Sequence, residues 1–149
     1  MEFRLRPAVA GDIEWLVELR AEVLRADLER LDRFDEHRVR QRLRDGFHPE
    51  WTRIIVVDGA DAGSITVRPD EASRWIEHFY LASALQGRGV GGAVLGQVLA
   101  EPHDGPTRLN VLQGSPARRL YERAGFTLDS EDEVDVFLSL RAPAHAHSA

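Results

Sequence analysis

The stretch Gln86-Gly87-Arg88-Gly89-Val90-Gly91-Gly92 stands between an alternating segment, Trp75 to Leu81, and a run in which Val94, Leu95, Val98 and Leu99 fall at helical spacing. It reads as the turn from a strand into a helix, and four of its seven residues are glycine. Glycines at that place leave backbone N–H groups bare beside the positive end of the helix. Such an end holds phosphate through several amides plus a dipole contribution of roughly 0.3–1 kcal/mol per charge. Arg88 offers a charge-assisted contact beside them. The plain alternative is a helix start made glycine-rich only for tight packing.

Two nucleotide-binding readings compete for the same residues. Gly87-x-Gly89-x-x-Gly92 matches the dinucleotide fingerprint, and Val94 extends it to the glycine loop of protein kinases. All 19 basic side chains are arginine, so the kinase strand lysine, the phosphate-loop lysine and every Schiff-base mechanism are excluded. The dinucleotide reading wants an early parallel strand and an acidic residue closing the next one. Here the loop comes mid-chain after a hairpin, and the next strand ends Leu109-Asn110-Val111-Leu112. The residues point to a diphosphate without saying whose.

Working outward, Phe3 to Arg6 alternates and stops at Pro7, which suits a short strand. Ile13, Leu16, Val17, Leu19, Val23, Leu24 and Leu28 mark an amphipathic helix with Asp12 as its N-cap. A charged helix over about 35–46 turns only Val39 and Leu43 inward and reads as a solvated flap or lid. Ile54 to Val57 and Ala62 to Arg68 form a hairpin about Asp58-Gly59. After the glycine-rich helix, closed by Glu101-Pro102, come a strand at Thr107–Leu112 and a helix capped by Ser115 with Pro116 behind it. Strands at Phe126–Leu128 and Val134–Leu140 complete the chain. The expected fold is α/β (α+β): a mixed, mostly antiparallel sheet of about seven strands with about four helices.

Composition sets the limits of function. At 149 residues the chain suits one domain, taken as 1–141, with a loose tail at 142–149. No cysteine is present, which rules out disulfides, thiolate metal sites and a cysteine nucleophile. His37, His48, His78, His103, His145 and His147 lack ligand spacing, apart from the tail pair, so no metal is expected. The net charge of -6 argues against nucleic acid as a partner. No apolar run suits a membrane span and no hydrophobic signal core opens the chain, so the expectation is a cytoplasmic protein without membrane partners.

A second motif follows the first. Ser115-Pro116-Ala117-Arg118-Arg119-Leu120-Tyr121-Glu122-Arg123-Ala124-Gly125-Phe126 sets an alanine and a tyrosine four apart before a terminal Gly-Phe. This segment resembles the second signature of the GCN5-related N-acetyltransferases (GNAT superfamily), and Gln86 to Gly91 resembles their Gln/Arg-x-x-Gly-x-Gly/Ala acetyl-CoA motif. The resemblance spans about 1–140. It implies an enzyme that moves an acetyl group from acetyl-CoA to a primary amine by direct attack in a ternary complex. The expected acceptor is a small cationic amine. A protein or peptide acceptor, or a non-catalytic acyl-CoA-binding module, is the alternative.

The resemblance also implies roles. Gln86 and the main chain of Gly87, Arg88, Gly89, Val90, Gly91 and Gly92 would hold the pyrophosphate, and Phe79, Tyr80 and Leu81 would pair with the pantetheine arm. A backbone N–H near Leu81 would polarise the thioester carbonyl. Tyr121 would be the general acid for the departing thiolate, although its helix face also fits a core aromatic. Glu77 would be the base or the substrate anchor. Strand alternation puts it with Phe79 and Leu81 and sends His78 to the opposite face. The family's asparagine before the tyrosine is replaced by Ser115, which can still cap the helix but leaves the cofactor contact in question. Asp129, Glu131, Asp132, Glu133 and Asp135 cluster where relatives admit the acceptor, as a negative rim for a cation or as a solvated turn. Trp51 and Trp75 would line a pocket or fill the core. A homodimer is a further implication of the resemblance.

Overall fold

The computed structural model describes residues 2–142, so the tail expected at 142–149 lies outside the described residues beyond Ala142. Seven strands form one sheet: β1 (Phe3–Pro7), β2 (Thr52–Val57), β3 (Ala60–Pro69), β4 (Arg74–Leu81), β5 (Thr107–Leu112), β6 (Thr127–Glu131) and β7 (Asp135–Leu140). Their order is β1-β2-β3-β4-β5-β7-β6. The helices are α1 (Ile13–Arg30), α2 (Glu36–Gly46), α3 (Val90–Ala100) and α4 (Ala117–Arg123), joined by short 3-10 turns.

The run Ile54-Ile55-Val56-Val57 is apolar throughout because β2 is covered on both faces. Ile55 and Val57 join the core beneath α3 and α4, with Ile65, Val94, Leu95, Val98 and Leu138. Ile54 and Val56 pack against Leu16, Val17 and Leu19 of α1 and Leu43 of α2. Arg40 and Arg44 of α2 bind Glu18 and Glu14 of α1 at 2.9 Å, so the charged helix is strapped to its neighbour. Asp35 caps α2 by accepting from the Arg38 amide. Asp12 does not cap α1 as its position suggested. Its buried carboxylate accepts from Arg6, from the Val9 amide and from the Trp15 indole, tying β1 to the helix start.

Two irregularities shape β4. On one edge it pairs with β5 in parallel only at Arg74↔Thr107 and Trp75↔Arg108, and the strands then part. Buried Arg74 pins the closed end, its Nε donating to Thr107 Oγ1 at 2.8 Å and its Nη1 to the Val98 carbonyl at 3.3 Å. On the other edge the register with β3 slips, from Thr66↔Glu77 to Ser64↔Tyr80, so β4 holds one extra residue. His78 adopts φ +46 there, and the buried Ser64 hydroxyl donates to its carbonyl at 2.7 Å. Close packing of β3 on this bulge needs glycine at 63, where a Cβ would lie 2.0 Å from the Tyr80 carbonyl oxygen.

The bulge overturns the alternation expected of Glu77. Ile76, Phe79 and Leu81 contact the core beneath α3 and α4, whereas Glu77 stands opposite Thr66 on the α1/α2 face. His78 lies on that same face, its Nδ1 3.2 Å from the Tyr80 hydroxyl and its Nε2 beside Gly46 at the end of α2. Burial pushes the imidazole down to about 4, with the Arg20 charge adding to the effect.

Replacing Gly63 with Ala is expected to cost about 1–3 kcal/mol in urea unfolding, because the obstacle is backbone. Gly96→Ala is the control: an exposed α3 glycine with open space around its Cβ should gain up to about 1 kcal/mol. His78 makes stability depend on pH in a defined window. Its folded value lies below the ordinary 6.5, so the unfolded chain binds the proton more readily. The contribution is complete above pH 6.5 and is lost as pH falls toward 4, by about 3 kcal/mol at most. His78→Asn, tolerated at positive φ, should flatten fluorescence-monitored stability across that window. The loss through Asp12, held down to about 2 chiefly by Arg6, begins only below pH 4.

Candidate active site

The parting of β4 from β5 leaves an unpaired backbone edge inside the sheet. The Ala82 amide donates to the Ala62 carbonyl of β3, so by alternation the N–H groups of Phe79 and Leu81 turn to the opposite, open edge. Leu81 spends its carbonyl there on the Gln86 side-chain amide at 2.9 Å. Gln86 therefore ties the end of β4 to the glycine loop.

That loop turns through Gly87 (φ +76) and Gly89 (φ +86), both left-handed, into α3. The first helical bond runs from the Ala93 amide to the Gly89 carbonyl, so the amides of Val90, Gly91 and Gly92 stand ahead of the hydrogen-bond ladder. Gly91 and Gly92 also lie against α4, each with Leu120 as its nearest neighbour at a distance that would accommodate a Cβ. The loop is thus both a row of bare donors and a packing surface. Arg88 is exposed, with no hydrogen-bond partner among the described residues. A chain of bare amides leading to an unpaired strand edge fits a diphosphate carrying an extended amide arm.

Tyr121 faces this edge from α4. Its ring packs edge-on to Phe79 and Phe126, at centroid distances of 6.4 Å and 5.7 Å. The hydroxyl has no hydrogen-bond partner among the described residues, and burial raises its pKa above the ordinary phenol value. It is a neutral donor awaiting an acceptor. The Ser115 hydroxyl accepts from the Ala117 amide at 3.2 Å, which fits the capping role expected of it.

Glu77 is held by Arg68 through two hydrogen bonds of 3.1 Å. It is separated from the Phe79–Tyr121 side by the sheet itself. Beside it runs a hydrogen-bonded chain: Arg20 Nε donates to the Tyr80 hydroxyl at 2.9 Å, and that hydroxyl meets His78. Burial raises the Tyr80 phenol. Arg20, Tyr80 and His78 come from α1 and β4; His78 and Tyr80, two apart, share a face by alternation, and the bulge adds Glu77 to that face.

On this face a cavity of about 640 Å³ opens between α1, α2, β5 and the β6–β7 turn. Arg20, Arg38 and Arg42 line one wall, and Asn110 and Leu112 of β5 line its inner side. Asp132, Glu133 and Asp135 of the acidic cluster form the opposite wall, whereas Asp129 and Glu131 do not line it. Neither Trp51 nor Trp75 lines the cavity; the first packs on His48 and the second donates to Asp70. Among the described residues no group of three acidic or histidine side chains could hold a metal ion, and no helix is long and apolar enough to cross a membrane.

Comparison with known proteins agrees with the fold. No curated protein matches the sequence. The fold is similar to the PaiA N-acetyltransferase of Thermoplasma acidophilum in complex with coenzyme A (TM-score 0.75, 17% identity, 95% of this chain and 99% of that one). It is also similar to Ard1 of Thermoplasma volcanium (TM-score 0.71, 19% identity, covering 96% and 99%). N-acetylglutamate synthase of Neisseria gonorrhoeae, complexed with coenzyme A and N-acetyl-glutamate, shares the fold over 96% of this chain and 36% of its own (TM-score 0.71, 17% identity). The family model for the acetyltransferase (GNAT) domain matches residues 50–128, which include the splayed strand, the glycine loop and Tyr121. The chain belongs to the GNAT family of acetyl-CoA-dependent N-acetyltransferases.

Proposed function

We propose that the chain acetylates the primary amine of a small molecule, which enters as an ammonium through the cavity between α2 and the β6–β7 turn. The observation that carries this reading is the gap between β4 and β5, bordered by donors from one side and by the cavity from the other. Acetyl-CoA supplies the activated acetyl group. The amides of Gly87 to Gly92, with Arg88, would hold its pyrophosphate, and the edge from Phe79 to Leu81 its pantetheine arm. The Leu81 amide donates to the thioester oxygen as negative charge develops there.

Tyr121 acts as the general acid and gives its proton to the departing sulfur. Its raised pKa keeps the phenol protonated at neutral pH, and its unpartnered hydroxyl has a proton to give. Glu77 receives the proton that the ammonium must lose before attack, relayed by water, while Arg68 fixes the carboxylate's orientation. His78 is neutral at pH 7 and accepts or donates a hydrogen bond through Tyr80 without carrying charge. The cavity's volume of about 640 Å³ matches the size of a small-molecule site and supports a small acceptor. The acetylating unit is taken as one domain over 1–141, with Ser115 capping the helix that carries Tyr121.

The test is acetyl-CoA turnover across polyamines, aminoglycosides, amino acids and peptides, read as released thiol. Turnover of small amines above thioester hydrolysis supports the reading; CoA binding without acetylation of any amine sinks it. Tyr121→Phe should lower kcat by about 10²-fold and leave the KM for acetyl-CoA nearly unchanged. Its stability should hold, because no hydrogen bond within the chain is lost. Glu77→Gln should lower kcat/KM by about 10²-fold at pH 7 and recover part of it as pH rises and more acceptor is free amine. A pH–rate profile parallel to that of the parent protein would remove Glu77 from proton transfer.

A further inference from the structure

The arginines of α2 divide into two sets. Arg38, Arg40, Arg42 and Arg44 alternate along one helix, and helical spacing sorts them into the pairs 38/42 and 40/44. Arg40 and Arg44 are neutralised by Glu18 and Glu14 of α1. Arg38 and Arg42 have no carboxylate partner among the described residues, and both line the 640 Å³ cavity. Arg20 and Arg33 line the same cavity, and their side chains meet backbone carbonyls and a phenol rather than carboxylates. Unneutralised positive charge is thus concentrated on one wall of a chain whose net charge is -6. Like charges one helical turn apart repel, and a bound oxyanion relieves that repulsion.

The opposite wall has the other sign. Asp132 accepts from the Val134 and Asp135 amides, Asp135 accepts from the Asn110 side chain, and Glu133 stands between them. Asn110 lies on β5, the far arm of the gap. The negative pole of the cavity therefore sits against the reaction edge and the positive pole sits on α2.

Resting on the transfer reaction proposed above, we infer that the acceptor is a bipolar amine. Its ammonium turns to the Asp135 side beside β5, and a carboxylate or phosphate a few bonds away is gripped by Arg38 and Arg42. Guanidinium suits either oxyanion through its planar fork.

The experiment compares matched amines, with acetyl-CoA as the donor for turnover and the CoA-loaded protein for binding. The oxyanion-bearing arm holds glycine through 6-aminohexanoate and O-phosphoethanolamine; the other arm holds n-butylamine, ethanolamine and putrescine. Acetylation is read as released thiol and equilibrium binding by calorimetry. At least one oxyanion-bearing amine should show a kcat/KM ten-fold or more above any in the other arm. Whether carboxylate or phosphate wins identifies the oxyanion. Arg38→Gln with Arg42→Gln should raise its KM and Kd ten-fold or more without weakening CoA binding, whereas Arg40→Gln with Arg44→Gln should leave both within two-fold. Equal or better use of putrescine or n-butylamine overturns the inference while the transfer reaction stands. Arg38/Arg42-dependent binding without acetyl transfer upholds the inference while the transfer reaction falls. Failure of every oxyanion-bearing amine to bind overturns it.

Discussion

The structure depends on two neighbouring strands that are paired at one end and parted at the other. Arg74 and Thr107 hold β4 to β5 where the sheet is closed, and the buried guanidinium contributes hydrogen bonds to both a hydroxyl and the α3 carbonyl end. A buried cation with no carboxylate in hydrogen-bond reach is expensive, although the nearby Glu101 charge offsets part of that cost, and one nitrogen of Arg74 has no partner among the described residues. The arrangement is sustained because Arg74 joins β4, β5 and α3 at the one place they all meet. Beyond it, β5 pairs only with β7 and β4 only with β3, so the facing edges of the two strands are left without a strand partner.

The bulge at His78 is the second half of the same device. A regular β4 would put Glu77 and Phe79 on one face, and the acid pointing at the gap from α4 would share that face with the carboxylate. One inserted residue separates them: Phe79 stays against Tyr121 of α4, while Glu77 joins His78 and Tyr80 on the side of α1 and α2. The sheet then divides the proposed acid, Tyr121, from the proposed base, Glu77, with the open edge between them. The positive φ of a non-glycine residue costs of order 1 kcal/mol, and Ser64 offsets part of it through the His78 carbonyl.

Much of this was legible in the residues. Helical spacing and period-two alternation marked seven strands and four helices, since each element is amphipathic or apolar in a way its neighbours explain. The glycine loop was legible because four glycines at a strand–helix junction have few other uses. What stayed hidden needed distances. A bulge leaves no trace in alternation when the inserted residue is a half-buried histidine flanked by glutamate and phenylalanine. Asp12 looked like a cap because it precedes a helix, but Arg6 and Trp15 reach it from either side. The alternate arginines of α2 looked like one solvated face. Only the contact with α1 separates the pair that is neutralised from the pair that is not.

The absence of lysine ties these observations together. Every cation in the chain's side chains is a guanidinium or an imidazole, and the guanidinium stays charged at any pH the fold survives. If the arginine wall grips the acceptor's oxyanion as inferred, pH acts on the attacking nitrogen rather than on that grip. Lysine on α2 would supply the same charge but would also place a primary amine of the protein's own beside an activated acetyl group. Arginine binds an oxyanion and offers no competing nucleophile, which lets one wall of the cavity be positive without becoming a substrate itself.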